Sequence, residues 1–190
     1  DAQESRGLGD VYKRQVPTAA TGTGGFLASN YDITYTSGSL AITARPITLT
    51  ADNRTKVYGD VLTLGTTGFT KTSGTYANSE SATAVTLTST NGYAASTTQA
   101  VNAGYVSEVA PTSATGTGGF LASNYDITYT SGNLAITARP ITLTADNRTK
   151  VYGDTLTLGT TSFTKTAGTF ANSESATAVT LTSANSYDAS

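Results

Sequence analysis

The sequence predicts an all-β protein made of tandem antiparallel β-sandwich domains in a rod-like array, with no substantial helix. Three observations support this fold class. Threonine accounts for 40 of the 190 residues, where a globular enzyme would be richer in Leu, Glu and Lys. Apolar and polar residues alternate in short segments between Gly-rich turns, and no segment shows helical periodicity. The chain also repeats itself over a long period.

The internal repeat determines the expected domain organisation. Residues 17–96 align without gaps on residues 111–190, an offset of 111 − 17 = 94, with nine differences in the 80 aligned pairs. Solenoid units are about 20 to 50 residues long, so this period is too long for a solenoid. It matches the length of an independently folding domain. The sequence therefore predicts one domain per period, each in contact with the neighbouring repeats.

The first clear pair of strands surrounds a short turn. Residues 31–36 read Tyr-Asp-Ile-Thr-Tyr-Thr, with the apolar side chains at odd positions. After Ser37-Gly38-Ser39, the apolar residues of the segment 40–44 stand at even positions. This alternation on both sides of a Gly-containing turn predicts a β-hairpin with one buried face.

The apolar positions change parity again at Arg45-Pro46. Ile47, Leu49 and Ala51 are apolar at odd positions, directly after a strand with apolar residues at even positions. A pleated strand cannot change its inward-facing set without a break, because a slip of one residue turns every side chain to the opposite face. Pro46 has a fixed φ and no N–H, so it predicts a hinge between two strands.

This parity change is the predicted domain boundary. Residues 45–138 form the complete repeat, residues 16–44 the C-terminal part of a preceding repeat, and residues 139–190 the N-terminal part of the following one. Residues 1–15 do not match the repeat, and their end, SRGLGDVYKRQ, resembles translated adapter sequence. They are therefore left out of the fold prediction as a non-native segment, with a natural linker as the alternative.

Further strands complete the predicted domain. They are expected at residues 55–58, 61–64, 69–72, 84–89 and 105–109, with turns at residues 59–60, 73–74, 91–92 and 116–119. Short alternating strands with turns about 8 to 12 residues apart are typical of an immunoglobulin-like β-sandwich or a barrel-like domain. We expect the sandwich.

The composition excludes several classes of function. The chain has no Cys and no His, so Cys/His zinc sites, cysteine nucleophiles, disulfides and Ser-His-Asp triads are excluded. A net charge of −2 with 13% charged residues gives no basic surface for nucleic acid. No apolar run reaches the about 20 residues of a membrane span or the core of a signal peptide, and no Met is present, so we expect an internal fragment.

Two segments resemble a known family. The segment ITLTADNRTKVYGD occupies residues 47–60 and 141–154, and NYDITYTSGSLAIT occupies residues 30–43 with a near-identical copy at 124–137. With these segments the chain resembles the MBG repeat, the mostly-beta, glycine-rich domain of large bacterial surface adhesins of the filamentous haemagglutinin or autotransporter type. The resemblance implies a secreted protein of the bacterial cell surface, associated with the outer membrane, whose binding region lies elsewhere. It implies no catalytic residues and no cofactor.

One strip of side chains is a candidate for ligand contact. Asp52, Arg54, Lys56 and Tyr58 share a strand parity and would line one face at spacings of about 7 Å. We expect a solvated face of mixed charge. The alternative is a glycan-contacting strip in which Tyr58 offers its ring for stacking.

The acidic residues of the complete repeat do not form a recognisable site. They lie on separate segments, at Asp52, Asp60, Glu80, Glu108 and Asp126. A calcium loop needs alternating oxygen ligands within one short segment, and a glycosidase needs two carboxylates about 5 to 10 Å apart. The sequence arranges neither, so we expect no metal, no cofactor and no catalytic residue.

Three other patterns are weak. The loop at residues 21–25 is Gly-rich, but Leu27 stands where a dinucleotide fingerprint needs Gly, so a flexible turn is expected. The motifs Asn-Arg-Thr at residues 53–55 and 147–149 match the glycosylation acceptor pattern, which recurs by chance in such a chain. A Lys–Asn isopeptide crosslink through Lys56 or Lys71 stays an open alternative.

The function that these observations favour is structural. We expect a stalk segment of a bacterial surface adhesin, in which neighbouring repeats of the same chain are the main partners and a distal region binds. The first alternative is a repeat that itself binds host or matrix glycans or proteins. The second, an enzyme, is disfavoured by the absence of His and Cys and by the near-identical copies.

Overall fold

The computed structural model describes residues 13–101 and 104–184, and these residues form a mostly β structure. The strands of the N-terminal half are β1 Lys13–Gln15, β2 Gly38–Leu40, β3 Arg45–Ala51, β4 Arg54–Val57, β5 Phe69–Gly74 and β6 Ser81–Ser89. Those of the C-terminal half are β7 Tyr105–Thr117, β8 Tyr125–Thr130, β9 Gly132–Thr137, β10 Ile141–Ala145 and β11 Phe163–Gly168. Two single-turn 3₁₀ segments, Ala28–Asn30 and Ala122–Asn124, are the only helical elements in the described ranges, and neither could cross a membrane.

A three-stranded sheet has the order β5-β3-β8. Its central strand β3 is antiparallel to β5 and parallel to β8. Ile47, Leu49 and Ala51 of β3 are at most 3% exposed, while the Thr residues between them lie closer to the surface. The inward parity predicted for this strand is therefore confirmed.

A four-stranded sheet has the order β4-β9-β7-β6. Its longest strand, β7, is antiparallel to both of its neighbours, and its register is interrupted by irregularities. Ser107 and Ser113 have φ values of 55° and 47°, a left-handed conformation that marks the interruptions of this strand. Residues 105–109, predicted as a short strand, are thus the beginning of a strand of 13 residues that continues through Pro111.

The predicted hairpin at residues 31–44 is wrong, because residues 31–37 belong to no strand and β2 pairs with β1. A hairpin is also absent from the repeated copy at β8 and β9, and the expectation of purely antiparallel pairing is wrong. β8 belongs to the three-stranded sheet and β9 to the four-stranded one, so the chain passes from one sheet to the other at Ser131. β3 and β4 make the same passage beside them. Arg45 pairs with Tyr125 and Arg54 with Leu134, so both parallel pairs keep the constant offset 125 − 45 = 134 − 54 = 80.

Gly132 is required where the two chains change sheets side by side. A Cβ atom on Gly132 would lie 2.5 Å from the carbonyl oxygen of Ala51 and 2.7 Å from that of Asp52. The Asn133 N–H donates to Oδ1 of Asn53 at 2.8 Å, which ties the two passages together. A change of sheet also changes the inward parity, and it therefore produces the same sequence pattern as a hairpin.

Two apolar clusters pack against the strands of the two sheets. The first contains Ile47, Leu49, Val85, Ala114, Phe120 and Tyr125, from both sheets and the loop before β8. The second contains Ala51, Ala94, Val109, Leu134 and Ile136. Every strand of the two sheets lies within residues 45–137. Residues 61–64, predicted as a strand, run without a strand partner, although the Leu62 N–H donates to the Ala94 carbonyl at 2.8 Å.

Two small sheets lie outside these strands. β1 pairs with β2, so residues 13–15 of the segment left out of the prediction contact the chain; residues 1–12 lie outside the described part. β10 pairs with β11 in the register of β3 with β5, since Ile141 faces Gly168 as Ile47 faces Gly74. In both strand pairs the register shifts after the second pair of facing residues, at Thr48 and Thr142. The local structure therefore repeats with the sequence.

Candidate functional site

The predicted strip does not form one exposed face, so this prediction is wrong. Asp52 is exposed and accepts a hydrogen bond from Thr70 Oγ1 at 3.0 Å. Arg54 is half-buried, and Lys56 is only 7% exposed. The reason is the change of sheet between β3 and β4, which turns the even-numbered side chains of β4 towards the interior. Tyr58 lies beyond the strand, at a contact with residues 139–174 described below.

Lys56 points into the domain and binds backbone carbonyl groups of the loop 89–96. Its Nζ donates to the carbonyl oxygens of Ala94 at 3.1 Å and Ser96 at 2.5 Å, and to that of Tyr93. Burial lowers the pKa of Lys56, and the nearby negative charges of Asp60 and Glu108 partly offset this effect. The ammonium group therefore stabilises the loop through three carbonyl acceptors, of which Ala94 also accepts from the Leu62 N–H.

The negatively charged side chain of Glu108 binds the same loop as Lys56. Its side chain is fully buried, and its carboxylate accepts hydrogen bonds from the Asn91 side chain at 2.9 Å, the Tyr93 N–H at 3.1 Å, the Asn91 N–H and the Ser89 hydroxyl. Burial alone raises the pKa of Glu108, but these hydrogen bonds outweigh it, and the pKa lies below its ordinary value of 4.5. Glu108 and Lys56 together form a charged clamp on residues 89–96, with no role that needs solvent access.

The residues beyond β4 form a contact with the following segment of the chain. Tyr58-Gly59-Asp60, which we call the turn, packs against residues that follow β9. Arg139 Nε donates to the Tyr58 carbonyl oxygen at 2.8 Å, and its Nη2 forms an ion pair with the Asp60 carboxylate. This interaction is partly shielded from water, since the side chains of Arg139 and Asp60 are 23% and 52% exposed.

The side chain of Tyr58 completes this contact. Its hydroxyl donates to the carboxylate of Glu174, and this hydrogen bond raises the pKa of Tyr58. Asn172 Nδ2 donates to the Thr97 carbonyl oxygen at 2.9 Å and approaches the Tyr58 hydroxyl at 3.5 Å. The contact thus combines an ion pair, a charge-assisted hydrogen bond and side-chain to backbone bonds across two repeats of the sequence.

Gly59 allows the close approach of the two segments. Its φ of +87° lies in the left-handed region, and a Cβ atom there would be 2.3 Å from Cβ of Ala171. Ala171 is 8% exposed, which makes it the most buried residue of the following segment. The Val-Tyr-Gly-Asp motif is therefore in close contact with the residues around Arg139, Ala171 and Glu174, and we call this contact the junction.

A cleft lies at the other end of the complete repeat. Its volume is about 320 Å³, and its lining includes Ile42, Thr43, Arg45, Ala77, Asn78 and Glu80. At one side Tyr125 donates its hydroxyl proton to Glu80 Oε2 at 2.5 Å and accepts from the Ala77 N–H at 3.0 Å. Burial, and then the hydrogen bond to Glu80, raise the pKa of Tyr125.

The weaker sequence patterns do not become sites in the described residues. No group of three acidic, His or Cys side chains in residues 13–101 and 104–184 could hold a metal ion. Lys71 Nζ donates to the Gly74 carbonyl oxygen at 2.6 Å, and Lys56 binds carbonyl groups, so neither binds an Asn side chain. Residues 21–25 form an exposed turn in which Gly24 and Gly25 have positive φ.

Sequence reasoning missed the clamp and the junction for different reasons. Alternation predicts that only one of Glu108 and Val109 faces inward, but both are fully buried because the left-handed Ser107 interrupts the strand. No pattern in the sequence indicated that interruption. The sequence did contain a signal for the junction, because Arg139 and Asp60 have opposite charges and both residues recur at the 94-residue period.

Comparisons of the chain with protein-family models, with curated proteins and with solved structures found no match.

Proposed function

We propose that the chain is a spacer segment of an exported bacterial surface adhesin, built from tandem β-sandwich repeats that hold a distal binding region away from the cell. The junction around Tyr58 and Arg139 carries this proposal. Neighbouring copies of the repeat contact each other through specific polar groups, so successive repeats have a defined orientation. A spacer needs such junctions, because its reach depends on their stiffness.

Two further features support the sandwich and the array. The first apolar cluster contains residues of both sheets, as is expected when two sheets pack face to face in a sandwich. β10 and β11 repeat the register of β3 and β5, which is expected when each copy of the sequence begins the same domain. Assignment to an adhesin rests on the resemblance of the two repeated motifs to the MBG repeat.

The chemistry of the described residues also favours a structural role. The buried charged groups of Lys56 and Glu108 form their hydrogen bonds with one loop, residues 89–96. The carboxylates of Asp60 and Glu174 are used at the junction. These charged groups therefore stabilise the fold and the junction.

Scattering on the full chain tests the stiffness of the junction. Arg139→Ala removes the ion pair with Asp60 and the hydrogen bond to Tyr58, so we expect a smaller mean radius of gyration as the junction bends. The matched control is Lys165→Ala, which removes an exposed cation of the same segment whose Nζ donates to the Gly168 carbonyl oxygen. If both variants scatter like the unaltered chain, the junction does not set the stiffness.

A binding assay separates the spacer from its main rival. The full chain is applied to immobilised mucin and to a glycan array, with bovine serum albumin as the reference for non-specific retention. A spacer shows no saturable binding above the reference. Saturable binding would instead identify the repeat as a ligand-binding module, and the spacer proposal would be wrong.

A further inference from the structure

The structure contains a second copy of each half of the junction already described. The cleft residues Arg45, Ala77, Asn78 and Glu80 precede Arg139, Ala171, Asn172 and Glu174 by the repeat period of 94 residues. The turn Tyr58-Gly59-Asp60 recurs, at the same period, as Tyr152-Gly153-Asp154. One copy of this surface is therefore filled by a Tyr-Gly-Asp turn, and the other is an open cleft.

The cleft has the groups that the filled junction uses. Arg139 binds the turn carboxylate of Asp60, whereas Arg45 binds only the hydroxyl of Thr75, at 3.1 Å, and has no acidic partner in the described part of the chain. Glu174 accepts the hydroxyl of Tyr58 through Oε1, and Glu80 uses Oε2 for Tyr125. No hydrogen bond within residues 13–101 and 104–184 reaches Oε1 of Glu80, so it can accept a second hydroxyl.

The second turn has the shape of the first but no surface to cover it. Gly153 has φ +86°, against +87° for Gly59, and the Asp154 N–H donates to the Val151 carbonyl at 3.1 Å, as Asp60 does to Val57. Tyr152 is 101% exposed and Val151 is 70% exposed. The turn is thus formed before any partner is bound, so little ordering is needed for it to dock.

The strand edge beside the cleft shows the same asymmetry. Leu134 and Ile136 of β9 are fully buried, in part by the parallel strand β4, whereas their counterparts Leu40 and Ile42 are 41% and 50% exposed. The counterpart of β4, residues 148–151, belongs to no strand. An incoming copy of residues 148–154 would supply both the missing parallel strand and the turn.

The turn and the cleft of one molecule are too far apart to meet. Arg45 lies at the start of β3 and Tyr58 follows β4, so the open cleft and the filled junction lie at opposite ends of a run of about 40 Å. Tyr152 lies beyond the filled junction, after a further extended segment. Contact between the two surfaces therefore requires a second molecule.

We propose that Tyr152-Gly153-Asp154 of one copy docks into the Arg45–Glu80 cleft of a second copy, so that the chain associates head to tail. The inference rests on the proposed spacer function, because it takes the junction as the contact that repeats along the array. The docked turn would pair Asp154 with Arg45 and place the Tyr152 hydroxyl on Glu80. A head-to-tail contact leaves a cleft and a turn at the ends, so association continues beyond the dimer.

Sedimentation of the full chain, at concentrations up to roughly 1 mM, tests the association. We expect weight-average mass to rise with concentration. Tyr152→Ala removes the hydroxyl and the ring and should weaken association at least about tenfold. Val106→Ala, a change at a residue 77% exposed on β7, is the control and should associate like the unaltered chain.

Charge exchange tests the pairing itself. Arg45→Glu alone places two acids together, and Asp154→Arg alone places two arginines together, so each variant should stay monomeric. In a mixture of the two, every contact between unlike variants pairs an acid with an arginine, so association should return as alternating chains. This restoration also shows that neither variant lost its fold.

Two results would overturn the inference. One is a chain that stays monomeric at every concentration; the other is association that persists in both single variants, which would place the contact on another surface. Neither result bears on binding to mucin or glycans. Conversely, saturable glycan binding would refute the spacer proposal and leave the measured association intact, so the two failures are distinguishable.

Discussion

Replacement of Glu108 by Gln tests whether the buried clamp holds the domain together. The carboxylate accepts hydrogen bonds from four donors, namely the Ser89 hydroxyl, the Asn91 N–H, the Asn91 side-chain amide and the Tyr93 N–H. The Gln amide has one oxygen with two lone pairs, so at least two donors lose their acceptor. A hydrogen bond to a charged group is worth about 1.5–3 kcal/mol, so we expect a loss of about 3–5 kcal/mol.

Thermal unfolding followed by circular dichroism measures this loss. For a domain of this size, 1 kcal/mol corresponds to about 4–8 °C, so the midpoint should fall by about 12 °C or more. Asp126→Asn is the matched control, because Asp126 is an exposed acid of β8 and its change should cost less than about 0.5 kcal/mol. A loss for Glu108→Gln that equals the control would refute the clamp.

The pH dependence of the same variant provides an independent check. The pKa of Glu108 is lower in the folded protein than its ordinary value of 4.5, so the folded state favours the charged form. The stabilisation is complete above the ordinary pKa and is lost as the pH falls through the folded pKa. We therefore expect the difference in stability between the unaltered chain and Glu108→Gln to narrow below about pH 4.5. A difference that stays constant down to pH 3 would contradict the assigned ionisation.

Three further substitutions have controls within the repeat. Gly59→Ala should loosen the junction and lower the radius of gyration in scattering. Gly159→Ala, with a φ of +68° but no atom within 4 Å, should not; equal effects would mean that the close approach of Ala171 is not the cause. Gly132→Ala should destabilise the chain by about 3 kcal/mol or more in urea unfolding, because the new Cβ atom would clash with backbone atoms. The control Gly38→Ala should cost less than about 1 kcal/mol, because the nearest atom to its new Cβ lies at 3.9 Å. Lys56→Met should cost about 2–4 kcal/mol in the same assay, since the carbonyl groups of Tyr93 and Ser96 lose their side-chain donor and that of Ala94 keeps only the Leu62 N–H. Lys165→Met should cost less than about 0.5 kcal/mol, and a smaller loss at Lys56 would mean that water replaces the ammonium group.

The sequence predicted the inward-facing residues better than it predicted their partners. The alternation around Ile47 and Leu49 correctly indicated the buried face of β3. It could not distinguish a hairpin from a passage between sheets, because both change the parity at a Gly-containing turn. The parallel pairing of β3 with β8 joins residues 80 positions apart, and no local pattern records such a contact.

The candidate site was less predictable than the fold, because its residues depend on tertiary geometry. Asp52 and Lys56 have the same sequence parity, yet one is exposed and the other buried after the change of sheet. The burial of Glu108 depends on a left-handed serine that the composition does not single out. Only the junction could have been deduced, by asking which charged motifs recur together at the repeat period.

The parallel pairing of β3 with β8 and of β4 with β9 has a mechanical consequence. The chain enters the repeat at Arg45 and leaves it at Thr137, at opposite ends of the paired run. Tension along the protein pulls these ends in opposite directions, parallel to the strands. The six residue pairs of β3 with β8 and the four of β4 with β9 are then loaded in shear and must yield together, whereas a hairpin pulled from its open end unzips one bond at a time. Resistance to force is governed by the rate of unfolding, so a repeat of modest equilibrium stability can still hold under a brief strong pull.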